Sequence, residues 1–154
     1  MNRTLHIRKY EPSDKPRLLE ILKTNIPDYF AESELSDLEE YLDHKVELYF
    51  VAELNGAITG AGGINIDTDR RTGKISWDYI DRKNHGAGIG RALLQHRLRL
   101  LLAMNTIEHI TVRTSQVAYR FYEKNGFVLR EVVKDYWAEG FDLYSMEYEK
   151  PAGN

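Results

Sequence analysis

His85-Gly86-Ala87-Gly88-Ile89-Gly90 leaves one apolar strand pattern and enters a helical one within six residues. Upstream, Lys74–Asp81 reads as a strand; downstream, Gly88–Met104 reads as a helix with Leu93, Leu94 and Leu98 on one face. Glycines let a backbone turn sharply and approach a ligand closely. The free N–H groups at a helix start, aided by the helix dipole, suit a phosphate. The same glycines would serve a plain strand-to-helix turn. A dinucleotide fingerprint requires G-x-G-x-x-G, which is absent, and a phosphate-binding lysine loop requires Lys and a hydroxyl where Arg91-Ala92 stand.

Toward the N-terminus, Leu5 and Ile7 alternate with His6 and Arg8 as a strand. The break Glu11-Pro12-Ser13-Asp14 precedes Leu18, Leu19, Ile21 and Leu22 at helical spacing, with Asp14 as a plausible cap and Pro27 as a stop. A second helix is expected over Ser33–Asp43. Leu48–Leu54 and Ala57–Ile66 flank the hairpin turn Asn55-Gly56. Past the long helix come a strand Glu108–Thr114, a short helix Gln116–Asn125 closed by Gly126, and strands Phe127–Lys134 and Asp142–Glu149 around an irregular Asp135–Phe141. This order predicts an α/β or α+β three-layer domain. One domain over residues 3–150 is expected, with 151–154 as a loose tail.

Composition narrows the chemistry. The chain has 154 residues, no cysteine, and five histidines without the short paired spacing of a helix-borne metal site. Thiol nucleophiles and thiolate zinc are excluded, and no metal is expected. A net charge of −3 with 29% charged residues gives no global reason for a nucleic-acid or membrane partner. No apolar run approaches the roughly twenty residues of a spanning helix, and Met1–Tyr10 does not read as a signal peptide. A cytoplasmic protein is the expectation.

Two motifs together resemble the GCN5-related N-acetyltransferase (GNAT) superfamily. His85-Gly86-Ala87-Gly88-Ile89-Gly90 is similar to its pyrophosphate signature Gln/Arg-x-x-Gly-x-Gly/Ala, with His85 in the Gln/Arg place. Ser115-Gln116-Val117-Ala118-Tyr119-Arg120-Phe121-Tyr122-Glu123-Lys124-Asn125-Gly126-Phe127 looks like its Asn-x-x-Ala-x-x-Phe-Tyr-x-Lys-x-Gly-Phe segment, with Ser115 for Asn. The resemblance covers nearly the whole chain. It implies a GNAT-like acyl-CoA N-acyltransferase fold, a mixed central sheet of about seven strands flanked by about four helices, and an acetyl-CoA-dependent transfer to a primary amine. A homodimer is compatible with it.

The resemblance also implies site residues. The pantetheine arm would lie between the strand ending at Ile80-Asp81 and the strand Ile110–Thr114, as though it were another strand. A backbone N–H near Ile80 would polarise the thioester carbonyl. Gly86, Ala87, Gly88, Ile89, Gly90 and Arg91 would hold the diphosphate; His85, Ser115 and Ala118 complete the cofactor set, with Arg82 and Lys83 as further phosphate candidates. In the resemblance Tyr122 takes the general-acid place, for which a neutral phenol is suited, since it can protonate a thiolate whose own acid is about 8.5.

The base is less defined. By strand alternation Ser76, Asp78 and Ile80 share one face, so Asp78 could face the acetyl group while Trp77 and Tyr79 face the core, and a bulge would reverse that parity. Asp78 is the candidate, with loss of the proton to water and Glu53 as alternatives. For the acceptor, Tyr29, Phe30, Tyr136 and Trp137 could wall an apolar pocket, and Glu32, Asp135, Glu139 or Asp142 could attract a cation. A small molecule, a protein N-terminus or lysine, and a non-catalytic acyl-CoA sensor remain open, with a nucleotide-binding protein more remote.

Overall fold

A computed structural model describes residues 4–150; the expected tail at 151–154 lies outside them. The chain runs β1 (Leu5–Lys9), α1 (Lys15–Lys23), α2 (Glu34–His44), β2 (Leu48–Leu54), β3 (Ala57–Ile66) and β4 (Thr72–Ile80). It continues through α3 (Ile89–Leu102), β5 (His109–Thr114), α4 (Tyr119–Lys124), β6 (Phe127–Ala138) and β7 (Phe141–Tyr148). Among the described residues this is one seven-stranded sheet in the order β1-β2-β3-β4-β5-β7-β6 with four helices. Every neighbouring pair is antiparallel except β4 and β5, which are parallel and therefore need the long crossover that α3 supplies. The α/β, mixed-sheet expectation holds.

Strand alternation sends side chains to two cores. On β2, Tyr49 and Val51 join Leu18, Ile21, Leu22, Leu38 and Leu42 of α1 and α2, whereas Phe50 and Ala52 join Leu93, Leu94 and Leu101 of α3. The face of α3 at Leu93, Leu94, Leu98 and Leu101 is buried as its periodicity predicts, but Arg97 sits on it too, with no solvent exposure.

Four expectations need correction. The segment Asp135–Phe141 is strand for the most part and not a loop: β6 runs to Ala138 and β7 begins at Phe141, although pairing between them is interrupted over residues 134–137 and Asp135 takes φ 54°. The helix expected from Gln116 starts at Tyr119, because Ala118 and Tyr119 both bond back to Ser115 as a turn. Asp14 makes no side-chain cap on α1. Its carboxylate instead accepts from the Glu11 N–H at 2.8 Å and from the Arg8 guanidinium at 2.9 Å, which holds it below the usual carboxylate range.

The fourth correction concerns β4. Register with β3 slips between Ala61 and Gly63, and Trp77 takes φ 45°. This bulge places Trp77 with Ser76 on the α1–α2 side, near Tyr41, and returns Asp78 and Ile80 to the α3 side. Ser76 and Asp78 therefore do not share a face.

Candidate active site

β4 and β5 pair only from Thr72 to Ile75 against His109 to Val112. Beyond Ile75 the bulge carries β4 away, and a cleft of about 1330 Å³ opens between the strands and runs onto the α1–α2 side. The Gly60–Ile80 pair is followed by Asp81, whose N–H donates to Thr59 at 2.7 Å. Antiparallel bonding alternates, so the Ile80 N–H and C=O point away from β3, toward the opening. The Ile80 carbonyl already accepts from Asn25 Nδ2 at 2.9 Å and contacts His85 Nε2 at 3.0 Å. Facing a carbonyl, that ring nitrogen carries the proton and donates.

The glycine-rich turn forms one rim. Gly86 and Gly88 have φ 80° and 82°, a conformation in which Cβ-bearing residues are strained. Gly88 caps α3, with Ala92 N–H bonded to its carbonyl at 3.1 Å. The first N–H groups of the helix, through Arg91, have no helical partner and point out of its end. Gly86, Gly88, Ile89, Gly90 and Arg91 line the cleft, with His85, Ser115, Ala118 and Ile80. Ala87 and Asp81 do not. The Asp81 carboxylate is buried, paired to Arg17 at 3.1 Å and accepting from the Lys83 N–H at 3.3 Å, so it closes the turn instead of facing outward. Tyr29 packs edge-on against His85 with ring centroids 5.0 Å apart, tying the α1–α2 connection to this rim.

Deep in the cleft three side chains meet. Tyr122 is buried between Phe121 and Phe127, and its hydroxyl donates to Asp78 Oδ2 at 2.7 Å. Asp78 Oδ1 takes a hydrogen bond from Arg97 Nη2. The remaining arms of Arg97 donate to the Leu93 carbonyl at 3.0 Å and the Gly63 carbonyl at 3.1 Å. Burial first, and then the Asp78 charge and its hydrogen bond, push the Tyr122 phenol well above its ordinary 10, with Arg97 opposing. The phenol is held protonated. Glu53, the alternative base, lies away from this group, paired with Arg8 at 3.3 Å.

The α1–α2 side is aromatic and acidic. Phe30 stacks on Trp77 at 6.3 Å with planes 16° apart, Tyr41 packs against Trp77, and Glu34, Asp37 and Glu40 line the same wall. Trp137 lines the β5 side, its indole N–H donating to the Thr114 carbonyl at 3.0 Å. Tyr136 stands outside on Arg113, 47% exposed. Asp135 and Asp142 are tied up within the hairpin tip: Asp142 accepts from the Asp135 N–H at 2.9 Å, and Asp135 accepts from Gly140 at 2.8 Å.

Sequence reasoning missed Trp77, Tyr41, Glu34 and Arg97. For Arg97 a signal exists: it lies four residues from both Leu93 and Leu101, on the stripe that α3 buries.

The family model described as an acetyltransferase (GNAT) domain matches residues 22–150. An N-alpha-acetyltransferase of Sulfurisphaera tokodaii is 28% identical over 157 residues, covering 91% of this chain and 90% of that protein. Among solved structures, the ribosomal-protein-S18-alanine N-acetyltransferase of Escherichia coli superposes with a TM-score of 0.75 at 19% identity, covering 98% of this chain and 97% of that one. An aminoglycoside 6'-N-acetyltransferase complexed with coenzyme A superposes with a TM-score of 0.74 at 15% identity, covering 97% of this chain and 99% of that one.

Proposed function

The chain belongs to the acetyltransferase (GNAT) family and is an N-acetyltransferase, and from that premise we propose that residues 3–150 transfer acetyl from acetyl-CoA directly to a primary amine. The observation that carries this reading is the Tyr122 hydroxyl, held protonated at the bottom of a cleft whose outer rim is a helix start with free N–H groups.

The cofactor's diphosphate would lie on Gly86, Gly88, Ile89, Gly90 and Arg91, and its pantetheine arm in the opening between β4 and β5. The Ile80 N–H is the fixed donor for the thioester carbonyl. The amine nitrogen attacks the carbonyl carbon, the N–C bond forms and the C–S bond breaks. The departing thiolate takes its proton from Tyr122, the nitrogen's proton leaves to water, and water restores Tyr122. Both oxygens of Asp78 are engaged, so its part is to hold Tyr122 rather than to deprotonate the amine.

The acceptor enters from the α1–α2 side, where Tyr29, Phe30, Tyr41 and Trp77 supply apolar surface and Glu34, Asp37 and Glu40 attract a cation, and Trp137 closes the same end of the cleft from the β5 side. A protein N-terminus is a second reading, supported by the name of the Sulfurisphaera tokodaii relative.

A panel of polyamines, amino sugars and peptides with different N-terminal residues, read by release of free thiol from acetyl-CoA, tests the reaction and separates the acceptors. On the amine that reacts fastest, Tyr122→Phe lowers turnover roughly ten- to a thousandfold while acetyl-CoA affinity stays within a few fold. Normal turnover by that variant would remove Tyr122 as the acid.

A further inference from the structure

An arginine with no solvent exposure stands in a leucine face of α3, directed at the reaction centre. Three of its donors are used: Nε on Leu93, Nη1 on Gly63 and Nη2 on Asp78. Two backbone carbonyls fix the guanidinium plane. The third contact selects one oxygen of Asp78 and leaves the other to Tyr122.

The neighbouring strand makes room for this arrangement. Gly62 lies opposite the β4 bulge, and a Cβ there would come within 2.7 Å of the Arg97 Cζ and would collide with Asp78 Oδ1. Thus the β4 bulge, the bare Gly62 and the buried Arg97 together admit one charge pair beneath Tyr122.

We infer that Arg97 is a positioning residue for acetyl transfer, acting through Asp78 on Tyr122. The inference rests on Tyr122 as the proton donor. A carboxylate in a nearly dry site is costly unless paired. Arg97 occupies Oδ1 of Asp78 and leaves Oδ2 as the acceptor for the Tyr122 hydroxyl, which is thereby anchored at the cleft wall. When Tyr122 gives its proton to the thiolate, a second negative charge forms beside Asp78. Two adjacent anions disfavour each other, and Arg97 supplies the cation that offsets them. A helix-to-sheet staple with no part in the reaction would account for the packing, but would not couple to Tyr122.

The test combines turnover with a signal independent of it. Wild type, Arg97→Met, Arg97→Lys, Asp78→Asn, the double variant Arg97→Met/Asp78→Asn and Gly62→Ala are prepared with an isotope at tyrosine Cζ. The Tyr122 resonance is identified by its loss in Tyr122→Phe. Arg97→Met is expected to move that resonance, and to lower kcat roughly ten- to a hundredfold on the best amine of the panel with the acetyl-CoA KM within about threefold. Arg97→Lys should recover part of the rate. The double variant should be no slower than the slower single, because both act through one contact. Gly62→Ala, which retains both charged groups and displaces them, should reproduce the kcat loss even if Arg97→Met does not fold.

An unmoved Tyr122 resonance in the folded variants, an unchanged kcat, or losses that multiply in the double variant would overturn the inference. Failure of the functional reading looks different: no amine reacts, or Tyr122→Phe turns over normally, while the resonance still reports whether Arg97 acts on Tyr122.

Discussion

Glu34 is a buried carboxylate whose side chain accepts one backbone hydrogen bond, from the Ala31 N–H at 2.7 Å. Burial pushes its carboxyl above the ordinary 4.5, against the hydrogen bond that favours the charged form. The sign follows from linkage. With the folded value above the unfolded one, the native state binds more protons in the window that begins near 4.5 and extends upward, so stability falls as pH rises through it. Glu34→Gln keeps an acceptor for Ala31 and removes the charge. Its melting temperature at neutral pH should equal or exceed that of wild type by up to about 2–4 °C, and the difference should shrink as pH falls toward 4.5. A variant melting below wild type at neutral pH would mean that the charge stabilises the fold. Glu34 also lines the proposed acceptor wall, so a gain in stability with a loss of acceptor binding would show the carboxylate retained for function at a stability cost.

At the level of elements, the β6–β7 hairpin carries Trp137 against the end of β5. The indole N–H bonds the Thr114 carbonyl, Arg113 lies over the ring at 5.5 Å, and Gln116 closes the tip by donating to the Gly140 carbonyl at 2.6 Å. Trp137 is half-buried, one face in the cleft. Trp137→Ala should raise the acceptor KM roughly three- to thirtyfold while the acetyl-CoA KM stays within about twofold. The loss of stability should stay below the about 3–5 kcal/mol of a fully buried tryptophan. A large fall in melting temperature with an unchanged acceptor KM would make it a packing residue. The hairpin also shows the reach of local reading: Gly140 and the surrounding polar residues look like a loop, yet β7 pairs with β6 as far as Val133, with one slip between Leu129 and Glu131, and rejoins it at Ala138. Pairing with a neighbouring strand overrides weak local propensity.

Across the whole molecule, the cleft joins both cores, with α3, α4 and β5 on one side and α1, α2 and the β4 bulge on the other. A ligand spanning it stabilises the fold as a unit. Acetyl-CoA at a hundred times its Kd should add about 2.7 kcal/mol, a rise of roughly 5–10 °C for a chain of this size. Gly88→Val should lose that rise, since φ 82° is strained for a β-branched residue and the helix start would reorganise. The unliganded variant should remain folded, because a Cβ at Gly88 meets no atom within 4 Å. An equal rise in both proteins would take the turn out of the cofactor site.

The sequence by itself determined the succession of strands and helices, the glycine-rich helix start and the segment that carries Tyr122. Each of these is written in short-range spacing: alternation in strands, three-to-four-residue recurrence in helices, and glycine where φ is positive. Only the tertiary structure decided what surrounds Tyr122. Alternation along β4 puts Asp78 with both Ser76 and Ile80, and the slip against β3 at Gly62 keeps it with Ile80 above Arg97 but sends Ser76 to the opposite face. Tyr122 and Asp78 are 44 positions apart and Arg97 and Asp78 are 19 apart. No spacing rule within one segment encodes a contact that depends on the register of a neighbouring strand and on the helix that packs beneath it.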